Sequence, residues 1–139
     1  MILFVHGFGS CGWGEKSLRL RRHFGVERLL APDLPFHPQQ VLERLRRLVD
    51  DYQVRALVGS SLGGFYATCL NAERRLPSVL INPAVYPHRL LEHFIGHHRR
   101  WCDDMPFDVD TGYLDSLRAL QRDQVDAREA YLVLLQTAD

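Results

Sequence analysis

The 139-residue sequence lacks several features that mark specialised classes of protein. Its 17 basic and 17 acidic side chains balance, so no net charge attracts phosphate backbones or anionic lipids. Its three cysteines are too few for a disulfide-dense scaffold. Its apolar runs are too short for a secretory signal or a membrane span. These absences predict one globular domain over residues 1–139, located in the cytoplasm, with no nucleic-acid or membrane partner.

The residues that could hold a metal or form a disulfide are also sparse. The cysteines are odd in number and form no CxxC pair, which favours reduced thiols. His93 and His97 stand four residues apart, but no second pair at metal-ligand spacing accompanies them. We therefore expect no metal and no cofactor. The cysteines are Cys11, Cys69 and Cys102, and the other histidines near that pair are His88 and His98.

Five short apolar runs alternate with helix-like segments. Unbroken runs of this length are typical of strands buried on both faces of a parallel sheet. They cover residues 2–5, 26–31, 54–58, 78–81 and 130–135. Helices are predicted over residues 15–24 and 62–74, and between Pro38 and Val49. Right-handed crossovers then predict the strand order 2-1-3-4-5, with helices on both faces.

A longer excursion over about residues 83–128 interrupts this repeat. Two helices are predicted within it, one around residues 90–95 and the other around residues 114–120. A connection of this length is either a cap or lid over a binding site or a plain surface connection. Both interpretations stay open.

The strongest motif is Gly59-Ser60-Ser61-Leu62-Gly63, which fits G-x-S-x-G between a predicted strand and a predicted helix. A nucleophilic serine needs such a sharp turn, and glycines at Gly59, Gly63 and Gly64 leave room for it. The backbone N–H of Leu62 would then point at a developing oxyanion. The pattern predicts Ser61 as a nucleophile; the alternative is a tightly packed turn without chemistry.

The segment His6-Gly7-Phe8-Gly9-Ser10 follows the first predicted strand. An oxyanion hole needs a second N–H donor from this loop, and Phe8 is the candidate. We expect His6 and Gly7 to support the loop, with His6 acting through hydrogen bonds and not as a base.

Gly7, Gly9 and Gly12 also spell G-x-G-x-x-G, with Asp33 about 20 residues further on. This spacing is typical of dinucleotide-binding domains. Against that interpretation, Gly14 delays the next helix, and the serine motif would have no role. The aspartate is equally a turn residue that bonds local backbone.

A triad in the order serine, acid, histidine places the acid after a later strand. The residue after the fourth strand is Asn82, which is not an acid, so Asp139 after the fifth strand is the candidate. None of the seven histidines follows Asp139. The general base that the serine requires is therefore missing from the predicted arrangement.

These motifs together resemble the YqiA/YcfP-like esterases of the α/β-hydrolase superfamily. The resemblance covers most of the chain and rests on residues 6–10, 59–68, 81–85 and 134–139. It implies a three-layer α/β-hydrolase-like fold, Ser61 as nucleophile, Asp139 as acid, and Phe8 and Leu62 as oxyanion donors. Ala138 stands where such sequences commonly have glycine. Family members continue past the acid with a final strand and a loop that bears the catalytic histidine.

The sequence thus predicts a serine esterase that acts on a small acyl ester or thioester through an acyl-enzyme. Without its histidine the 139-residue chain is expected to be inactive or weakly active. The alternatives are a catalytically silent binding module and a dinucleotide-binding domain. The fifth strand, with an open apolar edge, is expected to allow self-association.

Overall fold

The computed structural model describes residues 1–137, which form a five-stranded parallel sheet, flanking helices and a separate hairpin. The strands of the sheet are β1 (Ile2–Val5), β2 (Leu29–Leu30), β3 (Ala56–Ser60), β4 (Ser78–Ile81) and β7 (Tyr131–Leu134). The helices are α1 (Glu15–Phe24), α2 (Pro38–Asp51), α3 (Leu62–Arg74), α4 (Pro87–Leu90) and α5 (Thr111–Leu120). A 3₁₀ turn spans Leu91–Phe94, and the hairpin consists of β5 (Gly96–Arg99) and β6 (Pro106–Val109).

The strand order is β2-β1-β3-β4-β7, and every neighbouring pair in this sheet is parallel. The predicted order 2-1-3-4-5 is confirmed, with β7 as the fifth predicted strand. Helices flank both faces, as expected for right-handed crossovers. The fold is α/β-hydrolase-like.

Alternate residues along the central strands face different helix layers, as the period of a strand requires. Leu3, Val5 and Leu57 pack in one cluster with apolar residues of α2, α3 and α5. Phe4 and Val58 pack in a second cluster on the other face, where Leu20 of α1 joins them. Two packed layers around the sheet give the three-layer sandwich.

Two local predictions need correction, and one further element has no counterpart among the predictions. The second strand is two residues long and not six, because residues 26–28 lie in a turn in which the Arg28 N–H donates to Gly25 O. The predicted helix at 90–95 is α4 followed by the 3₁₀ turn. The hairpin is not predicted from the sequence, since GHHR carries no large apolar residue and PFDV is only four residues long.

The outer strand β7 carries apolar side chains that the rest of residues 1–137 leaves exposed. Leu132 is 57% exposed and Leu134 47% exposed, although their partners Val79 and Ile81 on β4 pack against the second cluster. Among the helices of residues 1–137, none is both long enough and apolar enough to cross a membrane.

Candidate active site

Ser61 lies on the sharp turn between β3 and α3. Its φ is 55° and its ψ is −119°, a positive φ that non-glycine residues seldom adopt. A non-glycine residue in this region costs about 1–3 kcal/mol and is retained where the surroundings hold it. The Ser61 N–H donates to Ile81 O at 3.0 Å, and the Ser61 carbonyl accepts from the Ala84 N–H at 3.0 Å. The turn is thus fixed to the end of β4, with the Ser61 side chain exposed.

Three glycines allow this turn to pack against its neighbours. A Cβ on Gly59 would lie 2.5 Å from Gly63 O, and a Cβ on Gly63 would lie 1.9 Å from Val5 O. A Cβ on Gly64 would lie 2.8 Å from the Cβ of Pro83. Side chains cannot be accommodated at these distances, so the close contact of α3 with β1 and β3 depends on glycine.

The loop after β1 lies directly beside the serine. A Cβ on Gly7 would be 3.2 Å from Ser61 Cβ and 3.8 Å from Ser61 Oγ. Within residues 1–137, neither the Phe8 N–H nor the Leu62 N–H has a hydrogen-bond acceptor. Phe8 and Leu62 also line one cavity together with Ser61. Two unpaired donors and an exposed hydroxyl therefore share one site.

His6 holds this loop to the neighbouring strand connection. Its Nε2 accepts a hydrogen bond from the Leu34 N–H at 3.1 Å, so the proton is on Nδ1, which lies 2.9 Å from Gly7 O. Burial lowers the pKa of His6, which keeps the ring neutral. Both nitrogens are engaged, and the ring is not available as a base in this arrangement.

The glycine pattern that suggested a dinucleotide site has a different partner. The Gly12 N–H donates to Asp33 Oδ1 at 2.8 Å, so this carboxylate already bonds the glycine-rich loop. A Cβ on Gly12 would lie 2.0 Å from Ala31 O, which explains the glycine by close packing. Helix α1 begins only at Glu15. This geometry argues against the dinucleotide interpretation.

The asparagine that follows β4 connects the turn to the segment after β7. Asn82 has a φ of 43°, a left-handed conformation that asparagine tolerates. Its Oδ1 accepts from the Gln136 N–H at 2.7 Å, and its own N–H donates to Leu134 O at 2.9 Å. The predicted acid Asp139 and the preceding Ala138 lie outside the described residues, but residues 134–136 are held at the end of β4 by Asn82.

Three of the four histidines of the excursion are buried or have partners within the excursion. His97 bonds Asp108 across the hairpin, and His98 bonds the carbonyl of Phe94. His88 is 9% exposed, and burial lowers its pKa. The fourth, His93, is exposed on the 3₁₀ turn. None of the hydrogen bonds made by His6, His97 and His98 goes to Ser61 Oγ.

The cysteines differ from the prediction of three reduced thiols. Cys11 and Cys102 form a disulfide, with Cα atoms 6.5 Å apart, and Cys69 is free and buried. The prediction is wrong for the bonded pair because the hairpin turn folds back onto the loop after β1, where Trp101 N–H donates to Gly9 O. The two sulfurs and a carboxylate oxygen of Asp103 lie close enough to one another to hold a metal ion. The sulfurs, however, are bonded to each other. The cytoplasmic location stays a prediction.

Comparison with known proteins places the chain in a family. The model of the uncharacterised protein family UPF0227 matches residues 1–139. The chain belongs to the UPF0227 family. The UPF0227 protein YcfP of Salmonella gallinarum (strain 287/91 / NCTC 13346) is 28% identical over 132 residues, covering 89% of this chain and 70% of the relative.

A solved structure supports the fold of this UPF0227 chain. The crystal structure of a candidate hydrolase from Agrobacterium vitis S4 superposes with a TM-score of 0.62 at 21% identity, over 86% of this chain. At that sequence identity the similarity is evidence for the fold alone. The chain spans 60% of the length of that structure.

Sequence reasoning missed part of the surroundings of Ser61 in this UPF0227 chain. Leu90 and Phe94 line the cavity at Ser61, yet their spacing only indicated an amphipathic helix. Phe94 packs edge-on against Phe8, with ring centroids 5.9 Å apart. The available signal was the segment Asn82-Pro83-Ala84 directly after β4, which turns the chain back towards the serine.

Proposed function

We propose that this chain carries the nucleophile and the oxyanion site of a serine hydrolase that cleaves a small acyl ester or thioester. The observation that carries the proposal is the position of Ser61. It is exposed, at a positive φ, before a 13-residue helix, and beside the unpaired N–H groups of Phe8 and Leu62. The family membership and the hydrolase name of the structural neighbour support it.

In the proposed reaction Ser61 Oγ attacks the acyl carbonyl carbon, and its proton passes to a base. The carbonyl oxygen becomes an oxyanion that accepts hydrogen bonds from the Phe8 and Leu62 N–H groups, and the N-terminus of α3 adds a favourable dipole. As the tetrahedral species collapses, the base returns its proton to the leaving oxygen or sulfur, the bond from the acyl carbon to that atom breaks, and the alcohol or thiol departs to leave an acyl-serine. Water then releases the acid and restores the hydroxyl. No step needs a cofactor.

The acid and the base require residues beyond the described ones. We assign the acid to Asp139, which would orient a histidine and stabilise it when protonated. No histidine follows Asp139 in the chain, and both nitrogens of His6 are engaged. We propose that the base is a histidine outside these 139 residues. The greater length of both relatives is compatible with this assignment.

The proposal is tested with p-nitrophenyl butyrate and with a fluorophosphonate that labels active serines. The 139-residue chain is expected to hydrolyse the ester weakly, because an oxyanion hole and binding alone leave about 10³–10⁴ over water. A natural protein that extends beyond Asp139 and includes a histidine is expected to be much faster. Ser61→Ala should abolish both activity and labelling, whereas the control Ser60→Ala should preserve them.

A second candidate function is a binding module without catalysis. It is favoured by the partners of His6, His97 and His98 within residues 1–137, none of which is Ser61 Oγ. Such a module would bind esters without releasing alcohol. If the longer protein also fails to hydrolyse esters and is not labelled at Ser61, the hydrolase proposal is refuted and the binding module is retained.

A further inference from the structure

The cavity at Ser61 has apolar walls on all sides that the described residues form. It encloses about 330 Å³ and is lined by Ser61, Leu62, Phe8, Ala84, Leu90 and Phe94, with Pro87 and Leu91 completing it. The serine hydroxyl is the one polar side-chain group among these lining residues. A ligand that reaches Ser61 through this cavity must therefore present hydrocarbon to the walls and its reactive polar group to the serine.

The outer wall of the cavity is exposed to solvent. Leu90 is 58% exposed and Phe94 47% exposed, and both belong to the short helical segment formed by α4 and the 3₁₀ turn. The inner wall is better held, because Phe8 packs edge-on against Phe107 at 5.4 Å as well as against Phe94. Large exposed apolar side chains that continue a concave site are typical of a surface that a ligand covers.

We propose that this cavity binds the acyl chain of the substrate and selects straight-chain acyl groups longer than acetyl. The inference rests on the proposed function and specifies its substrate class. In an acyl-enzyme the acyl part stays attached to Ser61, so the apolar space beside this serine can hold the acyl chain through both steps of the reaction. Leu90 and Phe94 close the outer side of the cavity and determine which chain lengths fit.

Chain length is the first measurement. Each methylene buried against apolar walls contributes about 0.8 kcal/mol, which corresponds to about a fourfold rise in kcat/KM. With the Ser61-dependent enzyme, kcat/KM should rise by about this factor per methylene from p-nitrophenyl acetate through butyrate to hexanoate. The rise should stop once the cavity is filled. A flat profile in an enzyme that requires Ser61 would overturn the inference and leave the proposed function intact.

Substitutions in the outer wall are the second measurement. Leu90→Trp should lower the ratio of kcat/KM for the hexanoate ester to kcat/KM for the acetate ester by at least tenfold. Ile95→Ala is the matched control, because Ile95 is 52% exposed on the same segment but does not line the cavity. Equal losses on both esters in Leu90→Trp, or the same loss in Ile95→Ala, would contradict the assignment.

Equilibrium binding separates this inference from the hydrolase proposal. Ser61→Ala, which cannot form an acyl-enzyme, should bind octanoate but not acetate in calorimetric titration, and Ser61→Ala with Leu90→Trp should not bind octanoate. Absence of octanoate binding to Ser61→Ala would overturn the inference whether or not the enzyme hydrolyses esters. Octanoate binding without any hydrolysis by the unsubstituted longer protein that includes the histidine would refute the proposed function and retain the cavity as an alkyl-chain site.

Discussion

Replacing Gly63 by alanine is expected to destabilise the fold strongly. The new Cβ would lie 1.9 Å from Val5 O and 2.5 Å from His6 O. Both atoms belong to the backbone at the end of β1, so no side-chain rotation relieves the contact, and α3 and β1 must separate. Overpacking of this kind costs about 1–3 kcal/mol or more, while alanine in a helix recovers about 1 kcal/mol relative to glycine. Because the opposing atoms are backbone of a central strand, we expect an overpacking cost above this range, of about 4 kcal/mol, and hence a net loss of about 3 kcal/mol.

Urea unfolding followed by circular dichroism measures this loss. With a slope of about 1–3 kcal/mol per molar urea, the midpoint of Gly63→Ala should fall by at least about 1 M. Gly14→Ala is the control, since a Cβ at Gly14 meets nothing within 4 Å, and it should change stability by less than about 1 kcal/mol. Equal midpoints for Gly63→Ala and the unsubstituted chain would refute the close contact of α3 with β1 on which the position of Ser61 depends.

Three further perturbations test other parts of the structure. Hydrogen bonds from Arg122 and Tyr131 lower the pKa of the buried Glu129 carboxyl from 4.5 to about 2. The ionised carboxylate therefore adds its full contribution to the free energy of unfolding above about pH 4.5, and this contribution is lost as the pH falls towards 2. Glu129→Gln should therefore cost about 3 kcal/mol at pH 7 in urea unfolding and flatten that acid dependence. Asn82→Gly keeps the left-handed backbone but removes the bond to the Gln136 N–H; hydrogen exchange of that amide should accelerate, and unchanged protection would contradict the contact. Val133→Lys on the open strand β7 should reduce concentration-dependent association in light scattering, and association equal to that of the unsubstituted chain would argue against self-association through this strand.

The contrast between Ser61 and the cavity around it shows where sequence reasoning succeeds. The turn at Ser61 needs only a buried strand, glycines at short spacing and a following helix, and all of these lie within residues 54–74. The cavity needs Phe8, Ala84 and Phe94 in contact. Their spacing in the chain carries no signal of that contact, because an apolar residue at helical spacing can face a core, a ligand or a neighbouring loop.

The excursion gives a second example of this limit. Its final helix was predicted from apolar periodicity and is α5. The hairpin of β5 and β6 could not be predicted from apolar periodicity, because half of its side chains face solvent. Its contacts with the core come from Phe107 and Val109 of β6. A two-stranded ribbon of this composition is stable only where it packs against another part of the protein.

The sequence by itself determined the parallel sheet, its strand order and the serine turn, because buried apolar runs, crossover handedness and turn glycines act over short stretches of chain. The tertiary structure alone decided the bond from Asn82 to Gln136, across 54 residues, and the Cys11–Cys102 disulfide, across 91 residues. It also decided the tautomer of His6, which depends on the N–H of Leu34, 28 residues away. These contacts follow from the packing of whole elements against one another, and no local pattern of residue types encodes which distant partner a polar group or a thiol will meet.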